Sequence, residues 1–367
     1  MINLEHSVQI NNGLCETSSD GACLAFDSKY GIMFCAYMPG HQGLYGESRG
    51  RVSLSYFPAS QPTNIRFVTV SEGNTEYLPN ILGLGDGKVR VFYEKNSRDE
   101  GNHPFCYKDF DFLSGELSEE KTVQIKMPDG SIVPYGLSIV FDYLEKNGCH
   151  DHKYVATEQM GLSTPFLHKD GYVYCAATTE NSEPVLYRSK DNMATIEFFA
   201  IFPHNCQYEF DYRFLGDDIY AVYRTSMDKD SVYTAKSSDN GKTWTVGTPY
   251  KESIQCRPRM LVYQGHILII YNYFNTDTGN RPSIPTGRTA VRIMYGENLD
   301  GDKNRMLLDL HSKYGIVNVC ITDILGDLYL AYSTSELALE YQNGYPEVKG
   351  KDAIRYIKLG DLLSENT

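Results

Sequence analysis

The sequence predicts an all-β protein, a six-bladed β-propeller in a single domain, and three observations predict it. The first is composition. Of 367 residues, 41% are hydrophobic and 13% aromatic, with 29 Tyr and 31 Gly. Long Ala/Leu/Glu/Lys-rich helical stretches are nearly absent, a balance that favours β structure. The second is a repeated unit in which an apolar alternating run meets a tight Gly/Asp turn and a second apolar run. The third is its spacing: the turns recur at intervals of roughly 50 to 60 residues with one longer gap, the range of propeller blades. A seven-bladed ring and two stacked sheets are the alternatives.

The six units, in chain order, are "CLAFDSKYGIMFCAYM", "NILGLGDGKVRVFYE", "PFLHKDGYVYCAAT", "YRFLGDDIYAVYR", "RMLVYQGHILIIYNY" and "VCITDILGDLYLAYS". Each reads as a β-hairpin, by period-two alternation around a turn signal. A third short run follows most of them: "RVSLSYF", "EPVLYRS", "SVYTAKSS", "AVRIMYG" and "AIRYIKL". The longer gap, between the second and third units, marks an insertion around residues 128–160. Within it "LSIVFDYLEKN" predicts a short helix ended by Gly148, on a propeller loop of the kind that sets substrate specificity. The last unit has three strands after Tyr314. The segment "LEHSVQI" near the N-terminus is expected to supply its fourth, closing the ring and removing exposed sheet edges.

Charge and sequence class narrow the function. A net charge of −13 argues against nucleic acid, whose binders carry a basic face. An anionic ligand would need a local positive pocket against that field. No run approaches the roughly 18 apolar residues of a membrane span, and "MINLEHSVQI" lacks the basic start and apolar run of a signal peptide. The nine cysteines are scattered. Cys35, Cys175 and Cys320 lie in apolar runs and read as buried thiols of a reducing compartment, so a cytoplasmic location is expected. No P-loop, Rossmann or serine-hydrolase signature is present, and no cofactor is expected.

The one tryptophan of the chain ends "SSDNGKTW", residues 237–244. Serine and aspartate there can bond nearby backbone groups, glycine allows a positive φ, and Trp244 packs between blades. A degenerate copy, "SKDNMATI" at 189–196, keeps Ser189, Asp191 and Thr195. Ser237, Asp239, Gly241, Thr243 and Trp244 resemble the Asp box of sialidase-type (BNR-repeat) propellers, a fold signature that says little of chemistry.

The resemblance extends into "YEFDYRFLGDDIYAVYR". Glu209 and Arg224 fall where sialidases have a glutamate opening an inner strand and an arginine ending the next. Arg288 in "GRTAVRIMYG" stands where the family has another arginine, Arg292 fitting less well. Tyr314 matches the family's tyrosine, although Gly315 replaces the usual serine. The resemblance implies an exo-glycoside hydrolase acting on a terminal acidic sugar, with an acidic oligosaccharide or glycan as partner. Glu209 would be the base, Tyr314 the nucleophile, and Arg224 and Arg288 the carboxylate clamp. A neutral tyrosine escapes the repulsion that a carboxylate nucleophile would meet at a carboxylate-bearing anomeric carbon.

The first unit departs from the family. It has no arginine where an R-I-P type motif belongs, and "YMPGHQGLYGESRGRVSLSYF" has no aspartate for the acid/base role. That Gly-rich loop offers His41 and Glu47 as acid/base substitutes and Arg49 or Arg51 as clamp substitutes. Arg257 in "QCRPR", and Asn96 with Arg98 in "FYEKNSR", are further pocket candidates, whereas His168 is expected on the outer surface. Cys149, His150, Asp151 and His152 cluster without a second set of ligands, and no metal site is expected. Two alternative functions stand beside the hydrolase. One is a lyase on uronic-acid glycans using a His/Tyr pair that includes His41; the other is a carbohydrate-binding propeller without turnover.

Overall fold

The computed structural model describes residues 2, 4–11, 19–39, 51–71, 73, 76–95, 103–148, 161–162, 164–178, 183–203, 206, 209–225, 228, 231–251, 253, 256–273, 290–296, 298–312, 316–335, 338–342, 345–349 and 352–363. Six sheets surround one axis, each built on an inner, second, third and outer strand in antiparallel order. The inner strands are Ser19–Asp27, Glu76–Gly85, the broken pair Gly161–Leu162 and Leu167–Lys169, Phe210–Leu215, Arg259–Tyr263 and Val317–Ile324. The second strands are Ile32–Pro39, Lys88–Lys95, Tyr172–Thr178, Asp218–Tyr223, His266–Asn272 and Asp327–Ser335. They match the six predicted hairpins in order.

Turn chemistry makes these hairpins. In four of them two successive residues take positive φ: Asp86–Gly87, Asp170–Gly171, Gln264–Gly265 and Leu325–Gly326. That is the type I′ geometry whose twist matches the flanking strands.

The N-terminal segment closes the ring as expected. Val8–Gln9 pairs antiparallel with Asp352–Gly360, Val8 opposite Tyr356, as the outer strand of the sixth blade.

The core lies in the seams. Among the described residues six hydrophobic clusters form, one between each pair of neighbouring blades. The largest, between blades 2 and 3, is completed by Tyr135 and four helix residues of the insertion and by the segment just before it. Gln124–Lys126 joins the outer edge of blade 3 in parallel to Thr195–Ile201, and Ile132–Pro134 pairs beyond it. The predicted helix spans Leu137–Lys146 and buries Leu137, Val140, Phe141 and Leu144, the i, i+3, i+4, i+7 stripe of an amphipathic helix. The described part of the insertion thus thickens a blade edge and fills a seam.

The Ser237–Trp244 turn also serves a seam. Asp239 accepts from the Thr243 amide and hydroxyl at 2.9 and 2.6 Å. Trp244 Nε1 donates to Ile201 O of blade 3 at 3.0 Å, and its ring lies 5.1 Å from that of Phe202. Gly241, at φ +80°, has no room for a side chain, since a Cβ would fall 2.5 Å from that of Ala200.

Candidate active site at the mouth of blades 4 and 5

Strand pairing aligns the blades better than their turns do. Cys23, Asn80, Asp211, Arg259 and Cys320 lie opposite Ala36, Phe92, Val222, Ile270 and Ala331. Thr164 holds the same place opposite Ala176, whose amide bonds its hydroxyl at 2.8 Å. Side chains of this column tie one blade to the next. Cys23 Sγ donates to Pro79 O at 3.4 Å, and Asn80 Nδ2 to Leu162 O and Thr164 O at 2.7 Å each. Asp211 accepts from Met260 N at 2.9 Å, and Arg259 Nε donates to Val319 O at 2.8 Å. Just before this column the inner strands of blades 1, 2 and 6 carry a bulge.

One pleat from the column, where inner strands begin and second strands end, the charged residues of blades 4 and 5 meet. Glu209 precedes the inner strand of blade 4, and Arg224 follows its second strand; their backbones join through Arg224 N and Glu209 O at 3.1 Å. Arg224 Nη2 lies 2.9 Å from Glu209 Oε2. From blade 5, Arg257 brings Nε to 3.8 Å from Glu209 Oε1. Arg224 is buried, while Glu209 and Arg257 are partly accessible.

A second charged layer supports the first. Asp211 is fully buried, two residues beyond Glu209, and its Oδ1 accepts from Arg213 Nη1 at 2.6 Å and from Tyr212 N at 2.8 Å. Around the ring, Asn272 ends the second strand of blade 5 and bonds Ile316 O at 2.6 Å. In blade 2, the counterpart of Arg224 is Glu94. It is fully buried, with Oε1 2.7 Å from His103 Nδ1, a pair able to share a proton. Burial pushes the nearby thiols up, Cys23 and Cys175 each to about 12, so both stay protonated at neutral pH.

Of the residues singled out from sequence, the structure brings Glu209, Arg224 and Arg257 together. Arg51 is exposed, just before the third strand of blade 1, and His168 is exposed as expected. Arg292 is committed elsewhere: it forms a bidentate pair with Asp309 at 2.9 and 3.0 Å and stacks on Tyr273. Tyr314, Arg288, His41, Glu47, Arg49, Asn96 and Arg98 lie outside the described residues, as do Cys149, His150, Asp151 and His152. Sequence reading missed Asp211, Arg213, Arg259, Glu94 and His103. The signal for Asp211 and Arg259 was present in the repeats, once aligned on the residue that pairs with the second strand.

No family model matches the chain, and no curated protein does. Solved structures do. A Trypanosoma rangeli sialidase complexed with 2,3-difluoro-KDN superposes over 98% of this chain with a TM-score of 0.64 at 10% identity. The fold is that of a sialidase-type β-propeller. A Hadza microbial sialidase matches 94% of the chain at 12% identity, TM-score 0.61. A Dyadobacter fermentans protein of unknown function matches 95% at 13% identity, TM-score 0.59. The chain spans 59% of the length of that trypanosomal sialidase and 66% of the Hadza one, but 97% of the Dyadobacter protein.

Proposed function

We propose that this protein is a sialidase-like exo-glycosidase that removes a terminal acidic sugar. The observation that carries the reading is the Glu209–Arg224–Arg257 cluster at one mouth of a sialidase-type propeller. One trypanosomal neighbour was solved in complex with sialic acid, a sugar whose anomeric carbon bears a carboxylate. Two guanidinium groups can grip such a carboxylate by planar, charge-assisted bonds. Blade 1 has no arginine at the family's clamp position, and Arg257 of blade 5 supplies a second cation instead.

In the mechanism Glu209 takes the phenol proton of a tyrosine as that oxygen attacks the anomeric carbon; the glycosidic bond breaks, and the leaving oxygen departs with a proton from the acid group of blade 1. Water then cleaves the glycosyl–tyrosine bond. Tyr314 is the nucleophile and Arg288 a further clamp residue by sequence position: they stand three residues before Val317 and two before Ala290, both strand starts. Glu47 and His41 are the acid/base candidates.

The test is fluorophore release from an α-sialic acid aryl glycoside by wild type, Tyr314→Phe and Glu209→Gln. The expected result is turnover in wild type that falls at least about 100-fold in each variant, roughly 2.7 kcal/mol of lost transition-state stabilisation. Absence of wild-type turnover with retained sugar binding would make the chain a carbohydrate-binding propeller. Release of unsaturated uronate from acidic polysaccharides, abolished in His41→Ala, would make it a lyase.

A further inference from the structure

Within the charged cluster Glu209 is the most accessible member. Its side chain is 21% exposed, against 13% for Arg257 and 6% for Arg224. Both arginines are reached from Glu209's two oxygens, Oε2 at 2.9 Å from Arg224 and Oε1 at 3.8 Å from Arg257. The carboxylate of this glutamate therefore occupies the position that a ligand carboxylate would take between two cations.

We infer that Glu209 is the resting occupant of the Arg224–Arg257 pair, an internal carboxylate that a ligand carboxylate displaces, and so a determinant of specificity for anionic sugars. The inference rests on the acidic-sugar reading above. Its physical basis is charge balance. Two guanidinium groups held near one another repel, and in a partly desolvated mouth that repulsion is poorly screened. Glu209 offsets it when no ligand is present. A neutral sugar offers nothing to replace Glu209 on the arginines, so the pair stays closed against it. A carboxylate ligand replaces one anion with another, leaving the arginines matched and the glutamate released. The same occupant weakens ligand binding, because part of the binding free energy is used to displace it.

An occupant of the arginine pair and a simple ligand contact respond to removal with opposite signs. Removing Glu209 should tighten ground-state binding of an acidic sugar while turnover is lost. Calorimetric titration of free sialic acid, and of its methyl ester, into wild type, Glu209→Gln and Glu209→Ala tests it. Native folding of each variant is verified by circular dichroism. The expected result is that both variants bind the acid about 5- to 150-fold tighter than wild type, the usual span of a coupling between two sites. The uncharged ester should gain nothing. Unchanged or weaker binding of the acid by both folded variants, with wild type still binding it, overturns the inference and leaves the acidic-sugar reading standing. Failure of wild type and both variants to bind the acid overturns both. If Gln tightens the acid and the ester equally, the effect is not charge displacement and the inference also falls.

Discussion

The same position in the ring is filled by neutral residues in four blades and by charged ones in the other two. In blades 6, 1, 2 and 3 the column residue is Cys320, Cys23, Asn80 and Thr164; in blades 4 and 5 it is Asp211 and Arg259. The bonds of Cys23, Asn80, Asp211 and Arg259 cross to the next blade. An amide or a thiol suffices for that structural task, and neither carries the desolvation cost of a buried ion. The charges in blades 4 and 5 exceed what ring closure requires. They lie one pleat beneath Glu209 and Arg257, the residues that meet at the mouth. The four blades with a neutral column residue therefore read as scaffold, and blades 4 and 5 as a scaffold that also fixes the position of the Glu209–Arg224–Arg257 cluster.

The largest test of this contrast is Asp211→Ala beside Asn80→Ala. Loss of Asp211 leaves the buried Arg213 guanidinium without its carboxylate and Met260 N–H without its acceptor. It should cost about 3–5 kcal/mol, as breaking buried ion pairs does. Loss of Asn80 removes a neutral donor and should cost about 1–3 kcal/mol. Urea unfolding of both variants gives the comparison, and equal costs would erase the distinction between neutral and charged blades.

Next in size is the division of work within the charged blades. Arg224 sits 0.9 Å nearer to Glu209 than Arg257 does, from the 2.9 and 3.8 Å separations, and is the more deeply buried. Arg224→Lys should lower kcat/KM on an acidic aryl glycoside by about 10- to 100-fold, the worth of one charged hydrogen bond. Arg257→Lys should lose less, since a looser contact asks less of guanidinium geometry. A greater loss at Arg257 would make blade 5 the main anion holder.

How much of this contrast was legible in the sequence depends on register. The six hairpins, the helix at 137–146 and the closure by Val8–Gln9 were readable, because period-two alternation and Gly-centred turns report local structure directly. Glu209 and Arg224 were readable because both flank one hairpin. Asp211 and Arg259 were not. The column residue stands eight residues before the turn glycine in blade 1, seven in blades 2 and 3, six in blades 5 and 6 and five in blade 4, counting to Gly31, Gly87, Gly171, Gly265, Gly326 and Gly216. Bulges and turns of different length shift the column, so only strand pairing reveals it. Glu94 and His103 were hidden for another reason: their meeting depends on the strand that follows, nine residues on.

Away from the axis the two kinds of blade should become alike, and the rim turns test this. Asp239 of blade 4 is held down to about 2 by the Thr243 hydroxyl and amide and by Ser237. Asp191 of blade 3 is also lowered, by the Thr195 amide, the Ser189 hydroxyl and the Thr195 side chain against an opposing burial effect. Because both carboxylates sit below their unfolded value of about 3.9, each stabilises its turn above that pH, and the contribution is lost as pH falls through the folded value. Carbon-detected NMR titration should find both midpoints below the ordinary aspartate range. A normal midpoint at Asp191 alone would extend the difference between the two kinds of blade to the rim.

The smallest effect concerns a turn in a neutral blade. Leu325 takes φ +55° at the first central position of its hairpin, where blades 2 and 3 have Asp86 and Asp170, and the residue is 91% exposed. A leucine there gains no burial and bears the steric cost of the left-handed region, which asparagine tolerates better. Leu325→Asn should raise stability by about 0.5–1 kcal/mol without touching turnover, within the usual gain from repairing a single local misfit. The measurement is the urea midpoint at unchanged slope, with aryl glycoside turnover alongside. Unchanged turnover would separate this end of blade 6 from the mouth chemistry. A fall in turnover would mean that strain at a remote turn is transmitted along the hairpin to the mouth, and the division of the ring into neutral and charged blades would have to be redrawn.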